Sequence, residues 1–596
     1  MAKNKKDRAA RKGTGRPADR SEALASFLTR DLTRLARDGA LVPGVGLGPR
    51  VAELVRLLEA GRSPLVVGPS GVGKTTLVET LACALARSPG RFKRVVEVSL
   101  RQLCQRAKRR SELSEVFRQL TEALAAHPRT LLFIADLHVA YELDLEPAID
   151  ALAVRLGRPI LAEGEEGAVE SMLESVPGFE SYVTLVRVEE PSSDEARALG
   201  VAWAKSMAPD GEPWTRVVTE EALDGALEIA RRFEVRDRLP RTLLQPLREL
   251  QAHANGGPVT FDAVVDRTAS SAGLPRTLVD PRVEIDLDDL ERRIGRSVVG
   301  QDDALRALVD AVGLFKAGLA DTRRPLGAYL FTGPTGVGKT EAVRALAREL
   351  LGDERSILRL NMADHQGEGS AYSLFGRPWD QTSGGRRGLL TRLVAGRGFG
   401  VLLLDEFEKA HPLVKDHFMQ LLDEGNFVNG AGEVIACKSF LIVATSNAGA
   451  EVWKRRSIGF DGRCDAAALE AEVLVALRRH FRVELLNRFD RIVPFAPLGR
   501  ADVEEIARRE LVGLGERQGC TRRGLRVEFS SEVAPWVARV GYDLERGARP
   551  LRRVVERRVA TALARAVFRT PARATLRVRI EDGGVQVDGA QTAGAS

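Results

Sequence analysis

Apolar and polar positions along this chain of 596 residues fall into an order that is used twice. A short apolar run, PLVVGPS (Pro64 to Ser70), leads into a glycine-rich turn and then into TLVETLACALA, whose apolar residues recur at helical spacing. Much later the same order returns as AYLFTGP (Ala328 to Pro334) followed by EAVRALARELL. Continuous apolar runs bounded by turns and alternating with helices predict βαβ units on a parallel sheet. In each half the alternation continues, ending near VRVEEPSSDEA (Val186 to Ala196) and IVPFAPLGRADV (Ile492 to Val503). A mostly helical block of roughly 80 residues follows each by its periodicity. The second block adds strand patterns at LRVEF (Leu525 to Phe529) and TLRVRI (Thr575 to Ile580), the latter turning at Asp582-Gly583-Gly584.

The expected fold class is therefore α/β, with two tandem P-loop modules, each a parallel-sheet core followed by a mainly helical lid. The boundaries are a basic disordered tail over 1–20, a first core over 21–194 and its lid over 195–280, then a second core over 281–500, its strand-containing lid over 501–585 and a short tail over 586–596.

Composition narrows the function classes. With 44% hydrophobic and 29% charged residues the chain has ordinary globular values. No apolar run approaches the roughly 20 residues of a membrane span, and no apolar segment follows the N-terminal charges, so the chain reads as cytoplasmic with no membrane partner. Five scattered cysteines without a CxxC pair indicate neither a disulfide framework nor a zinc site. The formal charge of +7 comes mostly from residues 1–18, which hold seven Lys/Arg and one Asp. That tail reads as a solubilising or docking segment before a nucleic-acid arm.

The chemistry sits at the two glycine-rich turns. In a P-loop, glycines let backbone amides point at phosphate, a lysine reaches the β and γ oxygens, and a Thr hydroxyl binds magnesium. The first copy is Gly68, Pro69, Ser70, Gly71, Val72, Gly73, Lys74 and Thr75; the second is Gly333, Pro334, Thr335, Gly336, Val337, Gly338, Lys339 and Thr340. Both predict ATP with Mg2+ as cofactors. After the second P-loop, VLLLDEFEKAH (Val401 to His411) ends a strand in two acids, so that Asp405 with Thr340 would hold the metal and Glu406 would orient and deprotonate water. Asn447, at the end of SFLIVATSN, would hydrogen-bond the water or the γ-phosphate. Arg488 and Arg549 offer guanidinium charge to a transferred phosphoryl group.

These residues carry a resemblance to the Clp unfoldase and disaggregase family of AAA+ ATPases. The second half resembles that family's second module through SVVGQDDAL, FKAGLAD, GPTGVGKTE, LLLDEFEKAHP, LLDEGNFVNGAGE, TSNAG, FRVELLNRFD and GYDLERGARPL, over roughly residues 285–580. The resemblance implies that Asn447 is sensor 1, Arg549 is sensor 2 and Arg488 is an arginine finger offered to a neighbour in a homo-hexamer. It also implies a protein substrate or adaptor as partner.

The first half resembles the first Clp module more faintly, and its accessories are altered. In the family's LFIDELH pattern, LFIADLH puts Ala135 where the magnesium aspartate belongs and Asp136 where the glutamate belongs. The sensor threonines, expected in ILAEGEE, fall at Gly164 and Glu165, and the paired arginines at Ser181 and Tyr182. The resemblance therefore implies a first module that binds nucleotide for assembly without hydrolysing it, its metal deprived of acidic support.

The pore loops depart too. Arg109 stands where the family's first gripping tyrosine would be, and Gln381, Thr382 and Ser383 replace the second module's Tyr-Val-Gly, with Trp379 two residues away. The family's globular N-terminal domain and coiled-coil middle domain have no counterpart in the pattern. The tripeptide Ile458, Gly459 and Phe460 resembles the hydrophobic element some Clp unfoldases insert into a ClpP-like peptidase, and serves equally as a loop's local anchor. The leading expectation is an ATP-dependent remodeller of a protein partner, an ATPase of Clp type acting in its second module. An unfoldase feeding a peptidase, and a nucleic-acid remodeller guided by the basic tail, stay open as alternatives.

Overall fold

The computed structural model describes residues 24–590 apart from 107–111, 136, 138, 143–144, 146–148, 150–151, 153, 167–168, 170–172, 174–182, 234–237, 255, 322, 378–382, 396, 457–465, 544–546 and 573. Arg109, Asp136, Ser181, Tyr182, Trp379, Gln381, Thr382, Ile458, Gly459 and Phe460, together with the basic tail, lie outside the described residues. The chain divides into two compact units, Met1–Arg267 and Thr268–Ser596.

In the first unit the strands are β1 (Arg30–Asp31), β2 (Ser63–Val67), β3 (Arg94–Ser99), β4 (Thr130–Ala135), β5 (Leu161–Gly164) and β6 (Val183–Arg187). They form one sheet in the order β1-β3-β4-β5-β2-β6, parallel except for β1. β2 is buried along its whole length, as a central parallel strand covered on both faces must be. Helix α1 (Lys74–Arg87) starts directly at the P-loop lysine, and its Leu77, Val78 and Leu81 pack into the core beneath the sheet. Helices α2 (Ser193–Met207), α3 (Glu220–Phe233) and α4 (Arg241–His253) make the lid, α2 opening on a capping box between Ser192 and Glu195.

The second unit repeats the plan. Helix α5 (Asp302–Lys316) precedes β7 (Gly327–Thr332), and α6 (Lys339–Leu351) follows its P-loop. The strands β8 (Ile357–Asn361), β9 (Gly400–Asp405), β12 (Phe440–Ser446) and β13 (Arg491–Pro494) complete a parallel sheet ordered β13-β7-β12-β9-β8, with a small hairpin of β10 (Asn426–Val428) and β11 (Val434–Ala436) set between β9 and β12 in sequence. This is the strand order of the first unit without its edge strand, so the repeat in the pattern is a repeat in topology.

The lid of this unit carries α8 (Arg500–Gly515), α9 (Val533–Gly541), α10 (Arg549–Val554) and α11 (Thr561–Arg569), after α7 (Pro412–Glu424) of the core. Strands β14 (Arg526–Phe529), β15 (Thr575–Glu581) and β16 (Gly584–Ala590) form its sheet. Asp582 and Gly583 turn the β15–β16 hairpin with positive φ at both, the geometry of a two-residue turn matched to strand twist. The hairpin continues past residue 585, and the ladder pairs Thr575 with Ala590.

Candidate functional site

The second P-loop lies between β7 and α6. Gly333 has φ 144, and a Cβ there would stand 2.5 Å from the Phe495 carbonyl oxygen, so only glycine lets the loop leave the strand at this point. Gln301, 5% exposed, donates to the carbonyls of Val337 (3.2 Å) and Ala496 (3.0 Å) and ties the loop's floor to the chain after β13.

Lys339 is buried and its ammonium donates to the carbonyls of Gly333 (2.6 Å) and Pro334 (2.7 Å) and to Asn447 Oδ1 (3.1 Å). Burial pulls its pKa from 10.5 down to about 8; the nearby Glu408, Asp405 and Glu406 oppose that fall, while Arg549 adds to it. The sign gives a testable pH dependence. Below about pH 8 the lysine carries its charge before nucleotide arrives. Above it, the lysine must take up a proton to meet the phosphates. Affinity of this site for a non-hydrolysable ATP analogue should therefore weaken as pH rises above about 8, with proton uptake on binding at pH 9. Calorimetry in two buffers of different ionisation enthalpy measures both, and equal affinity at pH 7 and 9 would contradict the assignment.

Asp405 is the last residue of β9. Its Oδ1 accepts from Thr445 on β12 (2.6 Å) and more loosely from Thr340 (3.5 Å), and its Oδ2 accepts from Arg359 on β8 (3.1 Å from Nε, 2.5 Å from Nη2). Burial works against its charge, but the bonds from Thr445 and Arg359 outweigh burial and hold the carboxyl below its ordinary range. An ionised carboxylate beside a Thr hydroxyl at the mouth of a phosphate loop is a donor set that fits Mg2+.

Glu406 turns off the strand end in a left-handed backbone conformation, φ 58 and ψ 47, which a non-glycine residue adopts only under constraint. Its amide donates to Thr445 Oγ1 (3.2 Å), and its carboxylate pairs with Lys409 (2.7 Å). Glu408 accepts from the amide (3.2 Å) and side chain (3.3 Å) of Asn447, fixing which way that carboxamide faces. The structure thus brings Lys339, Thr340, Asp405, Glu406 and Asn447 to one place. Arg359, Thr445, Glu408 and Gln301 complete the cluster without having been singled out in the sequence.

Arg549 begins α10, where Ala548 N donates to the Gly336 carbonyl (3.2 Å) and a Cβ on Gly547 would meet the Thr335 carbonyl at 2.5 Å. The lid's backbone therefore rests directly on the P-loop, and Arg549 is close enough to act on the charge of Lys339. Arg488 is elsewhere. Its guanidinium pairs with Asp423 (2.6 Å), half-exposed, and its carbonyl accepts from Arg324 (2.9 Å). Asp490, two residues on, binds the Ala328 amide (2.7 Å) at the far end of β7.

In the first unit the cradle is similar and its surroundings differ. Lys74 donates to the carbonyls of Gly68 (2.7 Å) and Pro69 (2.8 Å), as Lys339 does in its own loop. The lid again touches the P-loop, through Arg238 N to Ser70 O (3.0 Å) and Arg241 N to Gly71 O (3.3 Å). Ala135 ends β4 where Asp405 ends β9. At Ala135 the strand end carries no acid, and the carboxylate next to the P-loop threonine comes from the neighbouring strand: buried Glu163 on β5 accepts a hydrogen bond from Thr75 Oγ1 (2.8 Å). Gly164 and Glu165 follow it, and Glu165 is exposed.

Three family descriptions match the chain: the AAA ATPase family associated with various cellular activities over residues 64–148, the AAA domain (Cdc48 subfamily) over 324–492, and the C-terminal D2-small domain of ClpB protein over 498–580. The chain is 28% identical to the negative regulator of genetic competence ClpC/MecB of Bacillus subtilis, covering 91% of this chain and 76% of that one. It is also 28% identical to the ATP-dependent Clp protease ATP-binding subunit ClpC of Staphylococcus aureus, over 91% of this chain and 75% of the relative. A closed-state cryo-EM structure of Hsp104 with ATPγS and FITC-casein is similar with a TM-score of 0.72 and 26% identity, covering 95% of this chain and 99% of that one. An extended Hsp104:casein complex from S. cerevisiae gives a TM-score of 0.70 at 26% identity, covering 96% and 100%.

Proposed function

We propose a division of labour within a chain that belongs to the Clp family of AAA+ ATPases, enzymes that hydrolyse ATP with Mg2+ to remodel protein: the second module hydrolyses, and the first binds nucleotide to hold the assembly together. The observation that carries this reading is the contrast between the two strand ends. At the second, Thr445 and Arg359 hold Asp405 ionised, and Glu406 follows it at the turn off the strand with its carboxylate paired to Lys409. At the first, the corresponding strand end is Ala135. Mg2+, when bound, would sit with Thr340 and Asp405 and neutralise phosphate charge. Glu406 would take the proton of the attacking water, Asn447 would position that water, and Lys339 with Arg549 would hold the γ-phosphate.

The assembly is a homo-hexameric ring whose neighbours share each site, and the work is done on a protein partner, directly or through an adaptor. Support comes from the Hsp104 structures with casein, a protein bound to a similar chain. The likeness to a Clp protease ATP-binding subunit favours a second reading, with a ClpP-like peptidase as partner. Ile458, Gly459 and Phe460 would make that contact.

Paired P-loop variants test the division. Lys339→Ala should lose ATP turnover in steady-state assays, whereas Lys74→Ala should keep turnover once assembled but need more ATP or protein to form rings by sizing. Equal loss of turnover in both, with normal assembly of the Lys74→Ala chain, would sink the reading.

A further inference from the structure

Ala135 removes the acid from the first site, yet the sheet register puts another beside it. In the second unit, Leu404 on β9 pairs with Ala444 on β12, so Asp405 is flanked by Thr445, and Thr445 pairs across to Phe331, two residues before Gly333. In the first unit, Ile134 on β4 pairs with Ala162 on β5, so Ala135 is flanked by Glu163, and Glu163 pairs across to Val66, two residues before Gly68. Glu163 thus occupies the position of Thr445, and Ala135 that of Asp405. The residues differ across the pair: Asp–Thr on neighbouring strands in one module is Ala–Glu in the other, so the carboxylate stands on the second strand instead of the first.

The exchange is geometrically sound. In the second unit the Thr445 hydroxyl and the Asp405 carboxylate touch at 2.6 Å, so side chains from the two strands reach a common point. Shortening one to a methyl leaves room there, and glutamate is long enough to cross the roughly 4.8 Å between strands. The outcome is visible in the hydrogen bond: the P-loop threonine reaches its carboxylate at 2.8 Å in the first unit and 3.5 Å in the second. Glu163 is 5% exposed, and a buried carboxylate is tolerated where donors and cationic charge meet it. Thr75 is one such donor, and a divalent cation accompanying phosphates would be such a charge.

We propose that Glu163 is the relocated acid of the first module and makes its P-loop a Mg2+-dependent nucleotide site, the metal being supported from β5 instead of β4. This rests on the reading that the first module binds nucleotide, and deepens it. Moving the acid to the neighbouring strand would restore metal support, while the position after the strand end, which holds Glu406 in the second module, carries the shorter Asp136 here. The site would hold Mg2+-nucleotide as a lasting part of the ring, distinct from one that binds bare nucleotide.

The test uses the full chain carrying Lys339→Ala, so that the first P-loop is the remaining nucleotide site. Binding of a fluorescent ADP analogue is measured with EDTA and with Mg2+, and Mn2+ with ADP is titrated by electron paramagnetic resonance. Mg2+ should tighten ADP binding, and adding Glu163→Gln should weaken Mn2+ binding by about 10- to 100-fold, the range for groups that support metal ligands, while leaving binding in EDTA within about twofold. The swap Ala135→Asp with Glu163→Thr, which recreates the second module's pair, should recover Mn2+ binding. Unchanged Mn2+ affinity in the Glu163→Gln chain overturns the proposal, as does ADP binding that ignores Mg2+. If Glu163→Gln unfolds the unit, seen as an early thermal transition, Glu163→Thr takes its place: loss of Mn2+ binding in the folded Glu163→Thr chain and its return on adding Ala135→Asp support the relocation, and unchanged Mn2+ binding in the Glu163→Thr chain overturns it. No ADP binding with or without Mg2+ would remove the nucleotide-binding reading of the first module and this inference together.

Discussion

Glu406→Gln should leave a protein that binds ATP and scarcely hydrolyses it. The glutamine keeps the size of the side chain and the backbone amide that donates to Thr445, so the strand end is preserved. What disappears is a base able to accept the proton of attacking water, a loss usually costing about 10²- to 10⁴-fold in rate. Nucleotide binding depends on other atoms. Lys339 is held by the Gly333 and Pro334 carbonyls and by Asn447, and none of these contacts runs through Glu406. Asp405 has its own partners in Thr445 and Arg359. Phosphate release should therefore collapse while a fluorescent ATP analogue still binds with near-native affinity. Substantial turnover in this variant would move hydrolysis to the first module or to another base.

How much of this site could be read from the sequence follows from how its parts are encoded. Both P-loops and the pair Asp405-Glu406 are local strings flanked by an apolar run, and such strings survive being read in one dimension. The repeat of strand, P-loop and helix along the chain was legible for the same reason, since each βαβ unit announces itself by a change of period, whereas the order of strands across the sheet was not. Arg359 and Thr445 were not, because they reach Asp405 from strands β8 and β12 and only the register brings them together. Glu163 shows the limit most clearly. Matching ILAEGEE position by position to a sensor pattern records missing threonines at Gly164 and Glu165 and passes over the residue before them. In a parallel sheet, neighbouring strand positions face the same point, so a function lost at Ala135 can return at Glu163 without any one-dimensional trace. The strained turn at Glu406 was equally silent, because nothing in the letters marks a positive φ at a non-glycine residue.

Arg488→Ala should reduce ATP turnover about a thousandfold or more, the scale on which arginine fingers act. Its place in the fold argues that it acts on a neighbour. Asp490 pairs with the backbone of Ala328, at the beginning of β7, whereas the P-loop leaves β7 at Gly333, after its end. Five residues of strand separate those points by roughly 16 Å, farther than the Arg488 side chain extends. The residue is instead anchored at the opposite edge of the core by Arg324 and Asp423, with its guanidinium half-exposed. A group fixed there and aimed outward can stabilise phosphoryl charge only at a site brought to it by another copy of the chain. Mixing separates this from a local structural role. Arg488→Ala chains have an intact P-loop and lack the finger; Lys339→Ala chains lack the P-loop function and keep the finger. Each is expected to be inactive alone, and mixed rings should regain turnover wherever an Arg488→Ala site faces a Lys339→Ala neighbour. Rings shown by native mass measurement to contain both chains, yet no more active than either parent, would place the arginine's role within its own subunit.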